Sequence, residues 1–209
     1  MTTTIGIKYK DGIIFAADRQ VSSENFIASK YGEKIHQVDK GIGVTIAGLV
    51  ADAVNLVERL KAEFKLYFYD RKRPISIEMA ARLTSNIFYS GFRGGRPLYT
   101  QILIGGFTSH NGNAHNVPKL YVIDPSGGTI EDKFIATGSG SQVAYGTLEN
   151  NYRDDLTEKE AIQLAYKAMK SAIERNPFTG NGIDAVIISK DGFKRLTDEE
   201  LLKINEVTN

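Results

Sequence analysis

The spacing of apolar residues changes repeatedly along this chain, and the order of those changes restricts the fold more than any other feature. Residues 3–9 and 13–17 read as two short strands joined at the turn signal Lys10-Asp11-Gly12. A second pair, over 33–38 and 42–47, is broken at Asp39-Lys40-Gly41. The period then becomes helical: Val50, Val54, Val57, Leu60, Phe64 and Tyr67 recur at three- and four-residue steps through about residue 69. Pro74 breaks the pattern, and 76–90 gives a second helix with Ile77, Ala80, Ala81, Thr84, Ile87 and Phe88 toward one side. Residues 91–97 read as a glycine- and arginine-rich loop.

Strands resume at 100–107, 120–124 and 133–138, with a polar excursion over 108–118 and the turn Pro125-Ser126-Gly127-Gly128 between them. A helix follows over 141–152. Thr157 and Glu160 have the spacing of a capping box and open another, running to about Arg175 with Ile162, Ala165, Ala168, Met169, Ala172 and Ile173 inward. Strands at 185–189 and 192–195 and a short helix at 197–205 close the chain. Strands, two helices, strands, two helices, strands: that order predicts an α+β, four-layer sandwich, with two antiparallel sheets between helix pairs. It lacks the strict strand–helix alternation of a doubly wound parallel fold. No linker or low-complexity stretch divides residues 1–209, so a single domain is expected.

Directly behind Met1 stands Thr2-Thr3-Thr4. A threonine hydroxyl is a weak nucleophile without an adjacent base. If Thr2 becomes the N-terminus, its own α-amine, with an ordinary pKa of about 7.7–8.0, supplies that base. Composition narrows the competing chemistries. There is no cysteine, which excludes disulfides and thiol catalysis and fits a reducing or a hot compartment. The three histidines, His36, His110 and His115, lack the spacing of a zinc helix motif. A net charge of +1 gives no basic footprint for nucleic acid, and no apolar run suits a bilayer span. A catalyst that needs no histidine is favoured.

Five short stretches then align with one family in order and spacing: Thr2-Thr3-Thr4-Ile5-Gly6-Ile7; Ala16-Ala17-Asp18-Arg19; Gly32-Glu33-Lys34-Ile35; Thr45-Ile46-Ala47-Gly48-Leu49-Val50-Ala51-Asp52-Ala53; and Gly138-Ser139-Gly140-Ser141 with Tyr145-Gly146 behind it. Each alone is weak. Together they make the chain resemble a proteasome β subunit, most closely the archaeal kind. The resemblance implies the N-terminal-nucleophile hydrolase fold, an αββα sandwich, which agrees with the element order.

The resemblance further implies a threonine endopeptidase with Thr2 as nucleophile. Asp18 and Lys34 match the family's buried charged pair. An ammonium beside the α-amine would lower its pKa toward the working pH, and Asp18 would keep that ammonium charged. Gly48 matches the residue whose backbone N–H faces the oxyanion. Ser139 matches the serine beside the amine, although it also suits the cap of the following helix. The first-pocket wall falls on Val21, Gly32, His36, Ile46, Val50 and Val54, which points to cleavage after apolar residues.

Two departures stand out. In the loop after the long fourth helix the family's aspartate falls on Asn176, which keeps the shape but loses the charge, and its serine falls on Thr179. Only Met1 precedes Thr2 here, so ordinary methionine removal would suffice for maturation, and a retained Met1 would silence Thr2. The alternative is therefore a structural β subunit that does not cut. By the same resemblance, such subunits form seven-membered rings, two of β stacked between two of α, in the cytoplasm, and degrade unfolded proteins delivered by an ATPase ring. The chemistry requires no metal or organic cofactor, and neither nucleic acid nor membrane is an expected partner. The late aromatic cluster of the first helix, Phe64, Tyr67, Phe68 and Tyr69, suits either ring contact or core packing.

Overall fold

The computed structural model describes residues 2–106 and 117–206. The polar excursion from Thr108 lies outside those residues except for Val117 and Pro118, as do Met1, His110 and His115. The order opens with β1 (Thr3–Tyr9), β2 (Gly12–Asp18), β3 (Val21–Ser23), β4 (Phe26–Ser29), β5 (Ile35–Asp39) and β6 (Ile42–Gly48). Helices α1 (Val50–Arg71) and α2 (Ile77–Arg93) follow, then β7 (Thr100–Gly106), β8 (Lys119–Ile123), β9 (Thr129–Glu131) and β10 (Phe134–Gly138). Helices α3 (Ser141–Asn151) and α4 (Glu158–Arg175), strands β11 (Ile183–Ser189) and β12 (Gly192–Arg195), and helix α5 (Asp198–Glu206) complete it.

Two antiparallel five-stranded sheets stack on each other, ordered β10-β1-β2-β11-β12 and β5-β6-β7-β8-β9. Three apolar clusters define the layers. Ile5, Ile7, Ile14 and Ile187 of the first sheet pack under α3, α4 and α5 with Leu148, Ala165, Ala168 and Met169. Val44, Ile46, Ile102 and Ile104 of the second sheet pack under α1 and α2 with Leu56, Leu60, Phe64 and Phe88. Between the sheets lie Ile13, Phe15, Ala17, Ile35, Leu103, Leu120 and Val186. This is the αββα arrangement of the N-terminal-nucleophile hydrolases. Because β1 and β2 are covered on both faces, they are buried almost throughout rather than on alternate residues.

Helix ends follow their local chemistry. The Ser76 hydroxyl accepts from Met79 N at 3.2 Å and opens α2. Thr157 and Glu160 form the full capping box of α4, each side chain meeting the other's backbone N–H. Helix α2 runs on to Arg93, so Gly91 is helical rather than part of the glycine–arginine loop. Gly94 ends it, its N–H donating to Ser90 O at 2.9 Å. Phe64 belongs to the core beneath α1, whereas Phe68 and Tyr69 are exposed. The hairpin β3–β4 and strand β9 were not expected. Their residues are half to fully exposed, so burial imposed no alternation on the sequence that could reveal them.

Candidate active site

Thr2 lies immediately ahead of β1, and Asp18 ends β2, the neighbouring antiparallel strand, so the register brings the two together. Asp18 is fully buried, and its carboxylate accepts five hydrogen bonds. Oδ1 takes the Thr2 hydroxyl at 2.8 Å, Thr3 N–H at 2.9 Å and Lys34 Nζ at 2.7 Å. Oδ2 takes Gln20 N–H and Gly180 N–H, each at 3.0 Å. A buried carboxylate is tolerable only with such donors. Because the Thr2 hydroxyl and the Lys34 ammonium share one oxygen, they can be no farther apart than those two bonds allow.

Lys34 also donates to the Gln20 carbonyl at 2.6 Å. Burial pushes its ammonium below the ordinary lysine value, while the Asp18 carboxylate pulls it back up. The site thus holds a positive charge that is anchored yet more readily lost than that of a surface lysine.

Ser139 follows β10. Its N–H donates to Thr2 O at 2.8 Å, which ties the segment to the strand that carries Thr2. Gly138 makes this approach feasible: its φ is +86°, and a Cβ there would fall on the Thr2 carbonyl oxygen. The Ser139 hydroxyl has two acceptors in reach, Asn176 Oδ1 at 3.1 Å and Thr2 O at 3.3 Å, and one proton to give. It does not cap the helix behind it, since α3 begins after Gly140 with no side-chain cap.

The loop after α4 places Asn176 and Thr179 at the site. Asn176 Oδ1 accepts from Ser139 Oγ, from Thr179 Oγ1 at 3.1 Å and from Phe178 N–H at 2.9 Å, so the amide supplies the acceptor that a carboxylate would. The Thr179 hydroxyl meets that of Thr3 at 2.7 Å. Gln20 escaped the sequence reading altogether. Buried two residues beyond β2, it donates through Nε2 to Ser22 Oγ at 2.9 Å and to Pro177 O at 3.0 Å, and its Oε1 accepts from Asn181 Nδ2 at 2.9 Å. A lone glutamine beyond a strand carries no periodic signal, so only the fold reveals this clamp on the loop.

A cavity of about 160 Å³ opens beside Thr2. Val21, Gly32, Ile46, Gly48, Val50, Ala53 and Val54 supply most of its wall, with Ser22, Glu33 and Lys34 at its polar side. Val50 and Val54 are about half exposed because they face this space rather than the core under α1, where Leu56, Val57 and Leu60 go instead. Gly48, at φ +135°, shares the cavity with Thr2; a side chain there would strike the Tyr99 carbonyl. Glu33, a carboxylate absent from the expected wall, is engaged by Arg195 Nη2 at 2.6 Å.

Five of the six expected wall residues line this cavity; His36 does not. It sits two residues beyond Lys34 along β5, opposite Val44, roughly 6–7 Å farther along the strand. There its Nε2 is buried without a partner, and burial lowers its pKa, which favours the neutral ring. Among the described residues no cluster of three side chains could hold a metal ion, and no helix is long and apolar enough to cross a membrane.

A family model described as "Proteasome subunit" matches residues 1–188. The chain is 47% identical over 209 residues to the proteasome subunit beta of Methanothermobacter thermautotrophicus, covering 100% of this chain and 96% of that one. It is 43% identical to proteasome subunit beta 2 of Nitrosopumilus maritimus, over 99% of this chain and 94% of the relative. With proteasome subunit beta 1 of Thermococcus kodakarensis it shares 41% identity, over 98% and 97% of the two.

Proposed function

The chain belongs to the proteasome subunit family, as a β subunit of the archaeal kind, and from that premise we propose that it is a threonine endopeptidase whose nucleophile is Thr2. The observation that supports this most is the single Asp18 oxygen shared by the Thr2 hydroxyl and the Lys34 ammonium. A surface ion pair would have no reason to be buried against a hydroxyl. A nucleophile that depends on a nearby cation does.

Activity requires the Met1–Thr2 bond to be cut, which frees the α-amine. That amine takes the Thr2 hydroxyl proton as Oγ bonds to the substrate's carbonyl carbon. The C=O electrons move to oxygen, and the Gly48 N–H holds the resulting oxyanion, a contribution of about 2.7–4 kcal/mol in comparable sites. The C–N bond then breaks, its electron pair leaving with nitrogen, which collects the proton from the amine. Water cleaves the remaining ester by the same steps and restores the hydroxyl. Lys34 lowers the amine's pKa, so that more of it is neutral near pH 7. Ser139, poised between Thr2 O and Asn176 Oδ1, holds or passes the proton beside it.

The cavity walls of Val21, Ile46, Val50, Ala53 and Val54 favour an apolar side chain ahead of the cut bond. Assembly with α subunits and further β subunits into stacked rings, fed with unfolded protein by an ATPase ring, accompanies this reading. A β-lactone or epoxyketone probe tests it. Peptide mapping of the assembled particle is expected to find the adduct on Thr2, and Lys34→Ala to abolish it with assembly intact. A free but unmodified Thr2 assigns the chain to the structural role instead, with Asn176 in place of aspartate as the reason.

A further inference from the structure

We propose that the buried Thr4 hydroxyl is a positioning group that joins the three strands carrying the catalytic parts. This rests on reading Thr2 as the nucleophile, Gly48 as the oxyanion donor and Ser139 as the proton-handling serine. Thr4 Oγ1 lies 2.8 Å from Thr45 Oγ1 and 2.7 Å from Thr137 Oγ1. All three residues are at most 2% exposed, in the apolar layer between the sheets near Ala17 and Ile35. Thr4 and Thr137 pair across β1 and β10, whereas Thr45 reaches in from β6 of the other sheet.

Each hydroxyl sits two or three residues from a site group: Thr4 from Thr2, Thr45 from Gly48, Thr137 from Ser139. The strands carry any shift at the junction directly to the site. Packing alone does not account for three hydroxyls here. Valine has the same branched shape, and buried hydroxyls cost stability unless they bond to one another. What hydroxyls add is direction. The 2.8 Å Thr4–Thr45 contact fixes one sheet against the other, where methyl groups would let them slide, and the 2.7 Å Thr4–Thr137 contact ties β1 to β10.

The test compares Thr4→Ser, Thr4→Val and the triple variant T4V/T45V/T137V with the unaltered chain, each as the full subunit assembled with its α partner. Thr4→Val strands two hydroxyls, so both the urea midpoint and kcat should fall. Thr4→Ser keeps the junction and should hold kcat within about threefold. In the triple variant every hydroxyl is gone, and the urea midpoint should return to that of the unaltered chain because no polar group remains unpaired. Its kcat should nevertheless stay down by about tenfold or more, with KM changed by less than about twofold, the signature of misplaced reacting groups. The Ser139 amide, bonded to Thr2 O, should also exchange with solvent faster in the triple variant.

A triple variant that regains both stability and kcat overturns the proposal, as does Thr4→Val with unchanged kcat. If the unaltered chain never takes a β-lactone on Thr2, the peptidase reading falls separately. Ser139 exchange then decides the junction alone: faster exchange in the stable triple variant supports it, and unchanged exchange overturns it.

Discussion

Removing either member of the Asp18–Lys34 pair should abolish activity, but the two losses should destabilise the fold unequally. Lys34→Met leaves the Asp18 carboxylate with four of its five donors: the Thr2 hydroxyl and the N–H groups of Thr3, Gln20 and Gly180. The charge stays solvated by the protein, so the cost should be at most about 3 kcal/mol, near the lower end for breaking a buried pair. Asp18→Asn is worse. Lys34 loses the carboxylate that it is paired with and is left with neutral acceptors, and the new amide must turn an NH₂ group toward one set of former donors. Set on the Oδ2 side, it strands the Gln20 and Gly180 N–H groups, at about 1–3 kcal/mol each, beyond the 3–5 kcal/mol of an unpaired buried charge.

A total of about 5 kcal/mol or more approaches the whole stability of many domains. Urea unfolding of the isolated subunit, followed by circular dichroism, measures both variants. The midpoint for Asp18→Asn should lie well below that for Lys34→Met, the gap corresponding to about 2 kcal/mol or more. Equal losses, or a larger loss for Lys34→Met, would refute the reasoning from donor number.

Gly138→Ala should prevent β-lactone labelling of Thr2 and lower stability by about 1–3 kcal/mol, because the residue holds φ +86° with the Thr2 carbonyl where the methyl would go; thermal unfolding and peptide mapping check both effects. The pH profile of kcat/KM should rise as the Thr2 amine loses its proton, then fall as Lys34 loses its own, with the alkaline limb below the ordinary lysine value of 10.5. A profile flat to that value counts against Lys34. The sign for stability is opposite: with the folded pKa lowered, the unfolded chain binds more protons in that interval, so the Lys34 contribution to stability rises with pH there. Asn176→Asp should raise kcat about threefold to tenfold by making the acceptor for Ser139 a charged one; steady-state peptide hydrolysis checks this, and a fall would contradict it.

Much of this fold could be read from periodicity because burial enforces it. The inward residues of α4, for example, repeat as Ile162, Ala165, Ala168, Met169 and Ala172, and all are buried. Where burial is incomplete the signal fades, as in the β3–β4 hairpin with its exposed Phe26 and Ile27. Val50 and Val54 fit the apolar period of α1 and yet face the cavity, since periodicity cannot tell a core from a pocket. Within the site, Thr2, Asp18, Lys34, Gly48, Ser139, Asn176 and Thr179 came from the resemblance to proteasome β subunits, which five short stretches carry. Gln20 and the Thr4–Thr45–Thr137 junction did not, because side-chain hydrogen bonds between distant strands leave no local pattern.

The most direct measurement is the intact mass of this chain recovered from particles that contain it as their sole β subunit, before and after β-lactone treatment. The expected species starts at Thr2 and gains one probe per chain. Particles that cleave peptides while every copy still carries Met1 ahead of Thr2 would contradict a nucleophile served by its own amine.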